Sequence, residues 1–80
     1  MEPKDLITLI AKALVDHPEQ ISVNEIESNN TVIIELKVAK EDLGKIIGKQ
    51  GRTANSIRSI LNAMAGKTRK RLILEILDQG

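Results

Sequence analysis

The stretch Ile46-Ile47-Gly48-Lys49-Gln50-Gly51-Arg52 decides how this chain folds. Two apolar residues close one segment of helical period, and Arg52 opens another. Between them lies a G-x-x-G turn with two polar residues inside it. A single glycine is enough to turn a chain between helices. A second one leaves a turn with no Cβ atom at either end, so the backbone of another molecule can approach it closely. Exposed N–H groups and the start of the second helix favour an anion there. Lys49 and Arg52 add positive charge at the same place, which suits a sugar-phosphate backbone.

Working outward, residues 40–47 read as a short helix. Glu41 and Asp42 fall in its first turn, where the helix dipole favours carboxylates. Leu43, Ile46 and Ile47 fall at i, i+3 and i+4. Gly44 costs a helix interior about 1 kcal/mol relative to alanine, and close packing is the reason assigned to it. Beyond the turn, residues 52–65 predict a longer helix with Ala54, Ile57, Ile60, Leu61 and Met64 inward. Arg52, Asn55, Ser56, Ser59 and Asn62 form its polar face, and Gly66 is placed as its end. Lys67-Thr68-Arg69-Lys70-Arg71 reads as a basic loop leading into a strand over 72–77, with Leu72, Leu74 and Ile76 on one side.

Upstream, Val32, Ile34, Leu36 and Val38 alternate with Ile33, Glu35 and Lys37, the period of a strand. Asn29-Asn30 is a two-residue turn signal, since asparagine tolerates positive φ. Residues 20–28 form the other arm of a hairpin. Ile21 and Val23 alternate there and Ile26 falls out of phase, which predicts an irregularity near Asn24-Glu25. Residues 4–15 repeat Leu6, Ile7, Ile10, Ala13 and Leu14 at helical spacing. Pro3 suits the first turn, and His17-Pro18 stops the helix. The order is α-β-β-α-α-β. A crossover through two helices joins parallel neighbours. The expected architecture is therefore α+β, one domain over 1–80. Its three-stranded mixed sheet has the second strand in the centre and three helices on one face.

Composition narrows the function. Of 80 residues, 41% are apolar and 29% charged, which suits a globular fold. No apolar run reaches the ~20 residues of a membrane span. The charged start lacks a signal peptide's apolar region, so a cytoplasmic address is expected. Without cysteine there are no disulfides or thiolate metal sites. His17 is the only histidine, so neither a catalytic triad nor a histidine metal site can be assembled. No cofactor, metal, small-molecule substrate or enzymatic activity is expected. The glycines at 44, 48 and 51 do not match G-x-G-x-x-G, and Gly44 to Lys49 is one residue short of a P-loop.

The net charge of +1 hides an asymmetry: residues 1–43 carry −5 and residues 44–80 carry +6. The basic half begins at the G-x-x-G region. The chain also has no Phe, Tyr or Trp. Sheets and barrels that stack bases on aromatic rings are thus excluded. A nucleic-acid site here must use cations, backbone and an aliphatic groove.

The segment Glu41-Asp42-Leu43-Gly44-Lys45-Ile46-Ile47-Gly48-Lys49-Gln50-Gly51-Arg52-Thr53-Ala54, within this element order, resembles type II KH domains. It is most similar to the small bacterial KH proteins of the KhpA (YlqC-like) family, over the whole chain. The resemblance implies a type II KH fold and binding of single-stranded RNA in the cytoplasm. It also implies pairing, with itself or with a larger KhpB-type KH protein, and a role as RNA chaperone linked to cell shape. By the same resemblance, Gly48, Lys49, Gln50 and Gly51 match the phosphate clamp. Ile46 and Ile47 match the apolar residues before it, one of them lining the base groove. Arg52, Asn55 and Ser56 match the groove wall, and Lys67, Arg69 and Lys70 the variable loop.

Two other readings stay open on the sequence. One is a helix-turn-helix with residues 52–65 as recognition helix in a DNA major groove. The other is a protein-interaction module with a KH shape. Two surfaces are candidates for self-association: the outer sheet face with Ile33, Ile73 and Leu77, and the helix end with Leu61, Met64 and Ala65. The helix end is favoured because it leaves the glycine turn free.

Overall fold

A computed structural model describes residues 1–79. Helix α1 spans Pro3–Leu14 and strands β1 and β2 span Ser22–Ser28 and Thr31–Val38. Helices α2 (Leu43–Ile47) and α3 (Arg52–Thr68) follow, then β3 (Arg71–Asp78). Short 3₁₀ turns cover Pro18–Gln20, Lys40–Asp42 and Lys49–Gly51. The sheet order is β1-β2-β3, with β2 antiparallel to β1 and parallel to β3. Among the described residues, no helix is long and apolar enough to cross a membrane.

The alternation in β2 works as expected. Val32, Ile34, Leu36 and Val38 are buried under the helices, joined by Leu72 and Leu74 of β3. Ile7 and Ala11 of α1, Ile46 of α2, and Ala54, Ile57 and Leu61 of α3 close the core from above. Each large aliphatic side chain buried this way contributes roughly 1.5–3 kcal/mol. In α1, Ala11 takes an inward place, while Ala13 and Leu14 are exposed. The Asn29-Asn30 turn is present, with Asn29 at φ 54°.

Several expectations are corrected. There is no irregularity at Asn24-Glu25: β1 pairs one-for-one with β2 from Ser22↔Lys37 to Ser28↔Thr31. Ile26 simply belongs to the outer face, in one row with Ile33 and Ile73. Gly66 does not end α3. The helix must carry the chain back along the sheet, from the end of β2 to Arg71 beside Thr31. An eight-residue strand is about 26 Å long, and the seventeen residues of α3 cover about 25 Å. Stopping at Gly66 would fall short. The helix stops instead at Arg69, whose φ of 60° turns the chain and whose N–H bonds Ala65 O at 2.8 Å.

The basic loop therefore shrinks to Arg69-Lys70, with Lys67 and Thr68 in α3 and Arg71 in β3. Ile60 is not inward; it is 45% exposed, on a flank of α3 about a quarter turn from the buried line of Ala54, Ile57 and Leu61. Gly44 is not close-packed either, since a Cβ there would meet nothing within 4 Å. Leu61 is 1% exposed, so it belongs to the core rather than to a helix-end docking surface.

Candidate nucleic-acid interface

The interface starts from two glycines with different tasks. Helix α2 cannot continue past Ile47 because Gly48 takes φ 77°, ψ 171°, a region closed to other residues. Its N–H closes the helix on Gly44 O at 2.8 Å. A Cβ on Gly48 would lie 2.2 Å from Thr53 Oγ1 and 2.8 Å from Thr53 N, so the turn is pressed against the first residues of α3. Gln50 follows at φ 58°, ψ 25° and Gly51 at φ 76°, ψ 11°. A Cβ on Gly51 would meet nothing within 4 Å, so this side of the turn faces open space.

No side chain caps α3. The first N–H groups of a helix have no partner inside it; here the Arg52 N–H closes the turn on Lys49 O, and those that follow start α3 beside the turn. Lys49, Gln50 and Arg52 are exposed around them. The Arg52 Nη2 donates to Gln50 Oε1 at 3.2 Å, which aims the guanidinium along the turn. Ion pairs among the described residues involve Lys45, Lys70 and His17. Among the described residues, Lys49 and Arg52 have none.

From the turn, α3 runs beside the edge strand β3. A cleft of about 250 Å³ lies between them, with Arg58 and Asn62 on one wall and Arg71, Leu72 and Leu74 on the other. At ~100° per residue, Asn55, Arg58 and Asn62 share one line of the helix. Ser56 lies two residues from Arg58, roughly opposite that line, on the side of exposed Ile60. Of the two isoleucines before the turn, Ile46 is sealed in the core and Ile47 is 38% exposed. Ile47 is thus the one at hand for a ligand.

The structure brings Ile47, Gly48, Lys49, Gln50, Gly51 and Arg52 together, with Asn55 next along the helix. It places Lys67, Arg69 and Lys70 elsewhere. Lys67 stands fifteen helical steps from Arg52, about 22 Å away, and Lys70 pairs with Glu27. Two cations of the cleft escaped the sequence reading, Arg58 and Arg71. The signal for Arg58 was available: it stands three residues after Asn55 and four before Asn62. Arg71 became visible only once β3 was known to begin there.

Asp42 was also misplaced by dipole reasoning. It is 0% exposed, and its carboxylate accepts the N–H of Asp16 at 3.1 Å and of His17 at 2.9 Å. Burial pushes its pKa up. The two backbone donors and the neighbouring His17 and Lys45 outweigh this and hold it below its ordinary value of 3.8. A group lowered on folding adds stability above its unfolded pKa and loses it as pH falls through the folded one. The urea midpoint of the wild type should therefore fall on acidification below the ordinary value. In Asp42→Asn that acid-linked fall should be smaller; identical slopes would remove Asp42 from the acid response.

The family model for the KhpA/KhpB KH domain matches residues 4–76. The RNA-binding protein KhpA of Caldanaerobacter subterraneus is 56% identical over 91% of this chain and 97% of its own length. That of Clostridium perfringens is 50% identical over 92% of this chain and 99% of its own. Among solved structures, Aquifex aeolicus Era bound to GDP.AlF4- superposes with a TM-score of 0.59 at 18% identity. The match covers 95% of this chain and 30% of Era, a likeness of fold. With a matched type II KH topology and relatives at half identity or more over nearly their full length, the chain belongs to the KhpA/KhpB family of KH-domain proteins, which is not a family of enzymes.

Proposed function

We propose that this protein binds single-stranded RNA through the Gly48–Gly51 turn and the cleft between α3 and β3, as one KH domain over residues 1–80. The observation that carries the reading is the open turn at an uncapped helix start, flanked by two cations without carboxylate partners. Phosphates meet the N–H groups of α3 together with Lys49 and Arg52. Bases meet Ile47 and the aliphatic wall of β3, with Asn55, Arg58 and Asn62 offering hydrogen bonds. Lys67 and Arg69, at the far end, reach a longer strand. The relatives named as RNA-binding proteins support the same reading.

An RNA chaperone acting in the cytoplasm, with a role in cell shape, is the biological setting this family suggests. A KH module grips only about four nucleotides, and joining two modules raises avidity through effective concentration. Pairing with a second copy, or with a KhpB-type protein whose KH domain the same family model describes, fits that need.

The test is titration with single-stranded RNA, duplex RNA and duplex DNA of equal length, with size-exclusion of the free protein alongside. Tightest binding to single-stranded RNA is expected, with affinity falling as salt rises. Each backbone contact contributes about −0.7 to the slope of log K against log salt for single strands. Arg52→Ala should make the slope shallower by about that amount. Preference for duplex DNA would restore the helix-turn-helix reading. Binding to no nucleic acid would restore the interaction module. Monomeric elution, alone and with a KH-containing partner, would end the pairing.

A further inference from the structure

Among the described residues, Asp42 is the one buried charged side chain, and the proposed clamp itself makes no use of it. Its surroundings are specific. The carboxylate reaches across to the linker after α1 and accepts the N–H groups of Asp16 and His17. Lys45, one turn further along α2, lies 3.2 Å from Asp16 Oδ2 and 3.9 Å from Asp42 Oδ1. The His17 ring is 3.7 Å from Glu19 and 3.8 Å from Glu41. No buried side-chain nitrogen or oxygen among the described residues lacks a partner.

This clasp holds the first residues of a very short helix. Helix α2 has five residues and makes few hydrogen bonds of its own. Isolated helices of that length do not persist in water. What fixes its axis is Leu43 and Ile46 packed on the core, together with Asp42 tied to the linker at its start. Gly48 comes six residues after Asp42, about 9 Å away along the helix. At that point Gly48 must sit against Thr53 with no room for a methyl group. A small tilt of α2 about Ile46 would therefore lift the turn off α3.

We infer that Asp42 is a positioning residue for the nucleic-acid clamp: by tying α2 to the linker after α1, it holds the Gly48–Gly51 turn in register with the start of α3. The inference rests on the RNA-binding reading for its consequence, but its direct readout is the loop. An asparagine at this position fills the same space. It offers one acceptor in place of two and turns an NH₂ toward a backbone donor.

The experiment compares wild type, Asp42→Asn and, as a control for lost stability alone, Ile34→Val, all at a temperature where each is fully folded. Amide spectra read the turn, and titration with a single-stranded RNA oligonucleotide of mixed sequence reads the clamp. In Asp42→Asn the amides of residues 48–51 should shift and exchange faster, while those of β2 and β3 stay put. If the turn is competent about one fifth of the time, apparent affinity weakens about fivefold. Ile34→Val should change neither. Lys45→Met, on the surface, loosens the same clasp and serves should Asp42→Asn fail to fold; it should move the same amides by less. Unmoved loop amides in the folded variant would overturn the proposal. Moved amides in a protein whose wild type binds no RNA would leave Asp42 as the loop's anchor and overturn the RNA reading instead.

Discussion

Gly48→Ala should destabilise the fold far more than Gly51→Ala, although the two glycines have the same φ within a degree. At Gly48 two costs add. The backbone at φ 77°, ψ 171° is open to glycine alone, and the new methyl carbon would stand 2.2 Å from Thr53 Oγ1 and 2.7 Å from its Cβ. Forced backbone conformations of this kind cost about 1–3 kcal/mol, and overpacking adds about 1–3 kcal/mol. Gly51 sits in the left-handed helical region with free space around its Cβ direction, so only a left-handed penalty of about 1–2 kcal/mol applies. In a domain of this size each kcal/mol moves the melting temperature by about 4–8 °C. Taking the middle of each range, the two variants differ by about 2.5 kcal/mol, so Gly48→Ala should melt about 10–20 °C below Gly51→Ala. Equal melting temperatures would show that the close approach of Gly48 to α3 is not real. Gly51→Ala carries a separate signature: it stays folded, yet its methyl group occupies the open side of the turn, so RNA affinity should fall.

The different tasks of these glycines mark the limit of what the chain discloses unfolded. A G-x-x-G flanked by apolar helical patterns announces the turn and the helix start behind it. The alternation of β2 and the two-helix crossover announce a parallel β3. These features are local, or follow from chain connectivity, and they carried over intact. Contacts between segments distant in sequence were not legible. Asp42 carries the same carboxylate whether it serves a helix dipole or is sealed under a linker 26 residues away. Gly66 looks like a stop until the length of the sheet sets how far α3 must run. Ile26 looks out of phase until its row with Ile33 and Ile73 shows that the outer face takes apolar residues too. The site followed the same division. Its glycine turn was readable as a motif. Its cleft end, with Arg58 and Arg71, required knowing that α3 lies beside the edge strand.

Lys49→Asp combined with Gln50→Asp should lower RNA affinity by at least about a hundredfold, nearly 3 kcal/mol, and leave the fold intact. Both side chains are exposed, and neither contributes to the core. Position 50 holds a left-handed conformation at φ 58°, and aspartate enters that region more readily than most residues. Stability is therefore expected to stay within about 0.5 kcal/mol of wild type. The loss of affinity has two parts. Reversing Lys49 turns an attraction for phosphate into a repulsion. At position 50 the wild-type amide aims Arg52 without neutralising it. A carboxylate in the same place would pair with Arg52 and withdraw it from the ligand. The variant thus removes one cation, pairs a second and adds two anions at one turn, and a salt titration separates the parts. Loss of both cationic contacts flattens the slope of log K against log salt by about 1.4, twice the change expected of Arg52→Ala alone. A folded double variant that binds single-stranded RNA like wild type would move the interface off the glycine turn, to the cations at the far end of α3.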